Sequence, residues 1–330
     1  MRRNRYTSAL AAITAALALG VAACGGEDEE PAGTNSAASG GEEQQEELSG
    51  TIRIDGSSTV FPYAEAAGEL FNEEQPNVQV TVGQSGTGGG FEKFCAGETD
   101  ISNASRPIKD DEEVPVCEKA GVKFEEVTVA NDGIAVVTNP ELKIDCLTVD
   151  QLKQIWEPGS KVKNLSEVGD GLPNTELSLF GPGTDSGTFD FFTDQINGEE
   201  GASREDYEAS EDDNQLVVGV EGSPGGLGYF GFSYYEAQKD KLNLVGVGAD
   251  EASCKKPDAA SIQDGSYTPL SRPLFMYPSD KALERPEVKA FMEFVVTNQK
   301  AIADAAGFVA LTDAQATESK TKVDALAGTE

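Results

Sequence analysis

Histidine does not occur once in the 330 residues, which removes both the commonest general base near neutral pH and the commonest metal ligand. Hydrolysis by a serine, histidine and aspartate triad is excluded. Basic residues are scarce as well: 25 Lys and Arg stand against 58 Asp and Glu, for a formal net charge of −33. A nucleic-acid-binding surface needs the opposite sign to displace counterions from phosphates, so DNA and RNA are excluded as partners. So acidic a surface also repels anionic lipid and keeps a chain soluble by self-repulsion, as in halophile proteins. What the chain does contain is ordinary globular material. Residues are 38% hydrophobic and 25% charged, over a length suited to roughly two or three domain-sized units, which rules out wholesale disorder.

The N-terminal region reads as an address label. Arg2, Arg3 and Arg5 precede an apolar run over residues 9–23 that is too short for a membrane span, the pattern of a secretory leader over residues 1–23. Val21-Ala22-Ala23-Cys24-Gly25 is similar to the bacterial lipobox, in which the cysteine is acylated and becomes the new N-terminus; Cys24 is then the lipid anchor. Residues 24–50, rich in Gly, Ser, Ala and Glu, are too polar to bury anything and read as a solvated acidic tether. Export implies an oxidising compartment, and beyond Cys24 four cysteines remain, Cys95, Cys117, Cys146 and Cys254. Two disulfides are expected, with three pairings open. A zinc site is disfavoured because no CxxC spacing occurs.

From residue 51 the pattern alternates strand, polar loop and helix. Thr51-Ile52-Arg53-Ile54 leads into Gly56-Ser57-Ser58-Thr59, then Val60, Ala64, Ala67 and Phe71 at helical spacing. Val78, Val80 and Val82 lead into Ser85-Gly86-Thr87-Gly88-Gly89-Gly90 and a helix with Phe91 and Phe94. Residues 177–180 lead into residues 181–188 and a helix with Phe189, Phe192 and Ile196. Further strands are expected at 100–102, 127–129, 134–137, 242–247 and 274–277. Helices are expected from about Val149, behind a Thr148/Gln151 capping box, and over 288–296. The polar tail after Thr312 is expected to fray. The alternation predicts an α/β fold with mostly parallel sheets.

In such a sheet the loops leave at the carboxyl ends of the strands, where ligands bind. Loops rich in Ser, Thr and Gly at helix starts offer amide hydrogens and hydroxyls to an anion. In a strongly acidic chain an anion must be recognised by such local dipoles together with one or a few arginines. Arg106, in Asn103-Ala104-Ser105-Arg106-Pro107, is the best-placed cation. Arg272 stands just before a strand and reads first as a hinge or packing residue. Asp185-Ser186-Gly187 imitates a serine-protease signature but has no base to serve it, and residues 86–90 lack the Gly-Lys-Ser/Thr ending of a P-loop.

Four segments together carry a family resemblance: Asp55-Gly56-Ser57-Ser58-Thr59-Val60-Phe61-Pro62, Gln84-Ser85-Gly86-Thr87-Gly88-Gly89-Gly90-Phe91, Asp100-Ile101-Ser102-Asn103-Ala104-Ser105-Arg106-Pro107-Ile108, and Thr184-Asp185-Ser186-Gly187-Thr188-Phe189. The chain resembles the phosphate-binding protein of the high-affinity phosphate ABC transporter (PstS family) over nearly all of residues 51–311. The resemblance implies a periplasmic-binding-protein fold of two α/β lobes, joined by a two-crossing hinge, that close on phosphate and deliver it to a membrane permease. By position, the implied phosphate-binding residues are Ser58, Thr59, Ser85, Thr87, Ser105, Arg106, Ser186, Gly187 and Thr188. Well-studied members hold a proton-accepting aspartate where this chain has Ser105-Arg106, and an arginine near Pro182. Arg106 is therefore expected to supply the positive charge, and Asp132 and Asp185 are the candidates for a replacement acceptor.

Crossings near residues 130–133 and 268–273 place lobe I at 51–131 plus 271–330 and lobe II at 132–270. Pairing Cys95 with Cys117 and Cys146 with Cys254 keeps each bridge within one lobe. The expected protein is a monomeric, lipid-anchored solute-binding protein on the outer face of the cell membrane. It is not an enzyme and uses no cofactor or metal. The competing readings are a secreted phosphomonoester hydrolase and an adhesion or sensory module on the same scaffold.

Overall fold

The computed structural model describes residues 47–328. The expected leader, the lipobox at Cys24 and the tether up to residue 46 lie outside the described residues. Ten strands occur among those residues: β1 (Gly50–Gly56), β2 (Val78–Val82), β3 (Ile101–Ala104), β4 (Val127–Thr138), β5 (Cys146–Thr148), β6 (Ser178–Gly181), β7 (Glu208–Ala209), β8 (Gly226–Gly231), β9 (Asn243–Gly248) and β10 (Ser271–Pro278). They join in the order β2-β1-β3-β10-β4-β8-β6-β7, with β9 also pairing β4 and β5.

Each end of this arrangement is built around its own apolar core. One core packs Ile52, Ile54, Tyr63, Ala67, Phe71, Val127, Val129, Leu274 and Phe291, while the other packs Ile134, Val136, Trp156, Phe192, Leu227, Tyr229, Val245 and Leu270. The helix Phe61–Glu74 shows how the first forms. Ala64, Ala67 and Phe71 recur every three or four residues and, with Tyr63, bury one stripe, and Pro62 occupies the first turn, where its missing amide hydrogen costs nothing. The second core is aromatic at its centre, where Phe192 stacks on Tyr229 at 3.7 Å and Trp156 meets Tyr229 edge-on at 4.9 Å. Both disulfides take the expected pairing, Cys95–Cys117 and Cys146–Cys254.

Four expectations are corrected. The sheet is mixed. β1, β2 and β3 are parallel, as are β5 with β9 and β6 with β7 and β8, but every pair made by β4 or β10 to β3, β4, β8 or β9 is antiparallel. The two strands expected at 127–129 and 134–137 are one strand, β4, that runs unbroken through Asn131-Asp132-Gly133. That tripeptide has the composition of a turn, yet β10 pairs with it in register, Ser271 to Gly133 and Arg272 to Asp132. The tail does not fray. A capping box between Thr312 and Gln315 starts the helix Asp313–Leu326, which buries Val323 and Ser319, and the Ser319 hydroxyl donates to the Thr128 carbonyl at 2.7 Å. Finally, the folded body begins ahead of Thr51, because the Leu48 amide donates to Gln75 and its side chain packs on the first core.

Candidate functional site

Because β1, β2 and β3 are parallel, the segments that follow them leave at one edge. Gly56 makes the first exit possible: it adopts φ of +142°, and a Cβ there would lie 2.1 Å from the Asn103 carbonyl oxygen. At this edge opens a cleft of about 610 Å³. It is lined by Ser57, Ser58 and Thr59, by residues 85–88, by residues 105–107, and from β10 and its approach by Pro269, Ser271, Arg272, Pro273 and Phe275. The opposing wall is Asp190, Phe191, Asp194, Gln195 and Glu200.

Six of the residues expected in the site, Ser58, Thr59, Ser85, Thr87, Ser105 and Arg106, therefore meet around one space. Thr87 and Ser105 place their hydroxyls 3.1 Å apart, and the Ser105 amide also donates to Thr87. Ser85 plays a different part, since both its hydroxyl and its amide donate to Asp55, which accepts from Lys93 as well at 2.7 Å. Its proton is thus occupied in holding the start of the helix Gly86–Cys95. Ser186, Gly187 and Thr188 lie outside the lining. Ser186 caps the helix Gly187–Phe192 by accepting from the Thr188 amide at 3.2 Å. Gly187 is pressed against the first wall, where a Cβ would lie 2.1 Å from Thr59 Oγ1 and 2.5 Å from the Thr59 Cα and N.

The charges are distributed differently from the sequence reading. Arg106 is gripped by Glu113 through two hydrogen bonds of 2.9 and 2.7 Å. Arg272 is the deeper cation, its side chain 13% exposed. It donates to Thr59 Oγ1 at 2.8 Å, to the Gly187 carbonyl at 3.1 Å and to Asp132 at 3.3 Å, and its guanidinium carbon lies 3.8 Å from the centre of the Phe191 ring. One side chain thus ties together Thr59, Gly187 and the strand crossing. Burial pushes the Asp132 carboxyl above its ordinary range and lowers Arg272, while each partner holds the other in its charged form. Asp132 is therefore bound to Arg272. Asp185 is exposed, and its amide donates to Glu211.

Two features of the cleft were given no ligand role from the sequence. Asp190 faces the cleft, accepts from the Ser58 hydroxyl at 3.3 Å, and is pushed up to about 6 by burial and by Glu200, against the opposing pull of Ser58 and Arg272. Its signal was present only as the acid in the first turn after Ser186. Arg272 was visible, but a lone arginine before a strand carries no mark of the contacts it will make.

At the start of the helix Asp213–Gly222, Asp213 is pushed up to about 7, chiefly by burial, against the Gly231 amide and with repulsion from Asp212, Glu211 and Asp132. A carboxyl whose folded value lies above its unfolded one loses stability as pH rises from about 4 through about 7. Asp213→Asn removes that loss. Urea unfolding should find the variant about 1–2 kcal/mol more stable at pH 8 and level with the parent at pH 4; equal stability at both would contradict the assignment.

Residues 41–299 match the PBP superfamily domain. Protein SphX of Synechococcus elongatus is 44% identical over 262 residues, covering 79% of this chain and 77% of that protein. The phosphate-binding protein PstS of Staphylococcus saprophyticus is 41% identical over 281 residues, covering 84% and 86%. The chain belongs to the phosphate-binding protein family of the PBP superfamily. The crystal structure of a possible phosphate binding protein from Planctomyces limnophilus superposes with a TM-score of 0.80 at 42% identity, covering 84% of this chain and 99% of that one. The family is one of transport receptors rather than enzymes, and its two-lobed α/β fold is the one described above.

Proposed function

We propose that this protein captures inorganic phosphate outside the cytoplasm and delivers it to the permease of a phosphate ABC transporter. The observation that carries the reading is the convergence of Thr59, Thr87 and Ser105 around one cleft that has Arg272 at its base. Hydroxyls and a shared guanidinium suit a tetrahedral oxyanion, and the relatives named for phosphate binding and PstS support that ligand. Thr59, Thr87, Ser105 and Arg106 are the proposed ligand residues of the first wall, joined by Arg272 and by Ser58. Ser85 acts by positioning the helix start. Ser186, Gly187 and Thr188 form the facing turn that comes to rest on Thr59; the Ser186 hydroxyl, which accepts from Thr188, keeps its own proton to donate.

A division into lobe I at 51–131 plus 271–330, extended back to Leu48, and lobe II at 132–270 is supported by the separate cores and by β4, which feeds Val127, Val129 and Ala130 to one and residues 134–137 to the other. Two adjacent crossings, β4 and the entry to β10, make the hinge. A leader over 1–23, a lipid on Cys24 and an acidic tether would hold the body at the outer face of the membrane. The hydrolase alternative has no support at Ser186, whose hydroxyl meets a backbone amide rather than a base.

Calorimetric titration with phosphate at pH 8 tests the reading. Binding should be tight and should weaken by about 10-fold or more in Thr87→Ala, which loses one donor to a charged oxygen. A flat titration of the parent protein would sink the proposal, and release of phosphate from an aryl phosphate would restore the hydrolase.

A further inference from the structure

Not every glycine around Ser85 is explained by an anion. Gly83 and Gly90 lie outside the cleft lining, yet neither has room for a side chain. A Cβ on Gly90 would lie 2.5 Å from the Gly56 Cα, so the helix Gly86–Cys95 rests directly on the end of β1. A Cβ on Gly83 would lie 2.4 Å from Asp55 Oδ2, so the space there belongs to a carboxylate. Asp55 stands one residue before the Gly56 exit toward Ser58 and Thr59, and its side chain, 14% exposed, reaches across to the next ligand segment. Its Oδ1 accepts from the Ser85 amide at 3.1 Å and from the Ser85 hydroxyl, and its Oδ2 accepts from Lys93 at 2.7 Å. Ser85 immediately precedes the helix and Lys93 lies in its last turn, so one carboxylate holds the helix to the strand near both of its ends. Hydrogen bonds to an ionised acceptor are roughly twice as strong as neutral ones. Burial raises the Asp55 carboxyl, but the hydrogen bonds from Lys93 and Ser85 prevail and hold it below its ordinary range, so it is ionised at neutral pH.

What this clamp places is Thr87, in the first turn of the same helix. Thr87 lines the cleft with its hydroxyl 3.1 Å from that of Ser105. A group that binds a ligand must be held to within about 0.5 Å of its working place by neighbours that are themselves locked. We propose that Asp55, with Lys93 as its counter-charge, is a positioning residue for phosphate capture, joining the strand that delivers Thr59 to the helix that delivers Thr87. Asp55 is not among the residues that line the cleft, so it acts through Thr87 rather than on the anion. The inference rests on the phosphate-binding reading above and adds a residue outside the cleft that sets its affinity.

The test is a double-mutant cycle read by phosphate titration calorimetry at pH 8 on the parent, Asp55→Ala, Thr87→Ala and the double variant. Asp55→Ala should raise the dissociation constant about 10-fold, and the double variant should lose little more than either single one, against roughly 100-fold for independent sites. A residue that only supported the fold would give losses that multiply. Asp55→Asn keeps an oxygen for Ser85 but offers Lys93 no second acceptor, so it should recover part of the affinity, with a loss of about 3-fold. The cycle repeated with Asp55→Asn keeps the test in force if the alanine variant does not fold. An affinity unchanged in the Asp55 variants, or losses that multiply with Thr87→Ala, overturns the assignment. Hydrogen exchange without phosphate gives an independent readout: the Ser85 amide should exchange at least about 10-fold faster in Asp55→Ala, and an unchanged rate also overturns the clamp. A parent that binds no phosphate instead refutes the proposed function, while the exchange result still reports on the clamp, so the two failures are distinct.

Discussion

Arg272→Ala should destabilise the protein by about 3–5 kcal/mol, because it strands Asp132 as an unpaired charge in a buried place. The same change should abolish measurable phosphate binding. Arg272 donates to Thr59 and Gly187 at once, so its loss frees the two facing segments and removes the deepest positive charge in the cleft. The two effects can be separated. Arg272→Met combined with Asp132→Leu replaces the buried pair with apolar side chains, and such replacements are frequently neutral or stabilising. The double variant should therefore recover most of the stability in denaturant melts while still failing to bind phosphate. Recovery of both properties would show that Arg272 is only structural. Arg272→Lys keeps the charge but lacks the planar fork that serves several acceptors, so it should recover only part of the affinity.

Gly187→Ala should raise the dissociation constant for phosphate by about 100-fold while leaving the unliganded protein folded. The new methyl group would meet Thr59 Oγ1 at 2.1 Å and the Thr59 backbone at 2.5 Å, and backbone cannot be displaced as a flexible side-chain end can. Opening at the proposed hinge would relieve the clash in the unliganded protein, so the strain is expected to fall on the ligand-bound arrangement. Titration calorimetry gives the affinity, and thermal melts without and with phosphate give the contrast: the unliganded midpoint should barely move, while the increment due to phosphate should nearly vanish. If Gly187→Ala binds phosphate like the parent, the contact between Gly187 and Thr59 does not belong to the binding arrangement.

These results bear on how an acidic protein holds an anion. With a net charge of −33 the molecule gains nothing from its overall field. Capture must rely on groups so close to the ligand that solvent cannot screen them, which is why one buried guanidinium outweighs a surface cation. Arg106 is the instructive contrast. It lines the cleft, but Glu113 holds it with two hydrogen bonds, and an anion must compete with that carboxylate for its donors.

Much of this was readable in the chain before any coordinates. The lack of histidine removed whole classes of chemistry, and alternating valines at 78, 80 and 82 followed by a serine and glycine loop located a strand, an exit and a helix start. The four cysteines after Cys24 were also informative, since sorting residues by lobe chose the pairing that is found. Such features are local: period, loop composition and helix start are written in neighbouring residues, and the backbone obeys them with little help from elsewhere.

Tertiary structure decided the rest because the remaining properties are differences in desolvation between residues far apart in the chain. Arg272 and Thr59 are separated by 213 positions, and Ser58 and Asp190 by 132. Nothing near Arg272 in sequence tells it from Arg53, which stays exposed, and nothing near Asp190 tells it from the other acids. Asn131-Asp132-Gly133 has turn composition but becomes strand because β10 supplies its ladder partners, and the polar tail becomes a helix because a distant core accepts Val323. The sequence by itself determined the strands, loops and helix starts that carry Thr59 and Thr87. Which charge is buried beneath them, and which carboxylate lines the cleft half-buried, depended on long-range packing that removes water from some ionised groups and leaves it on others.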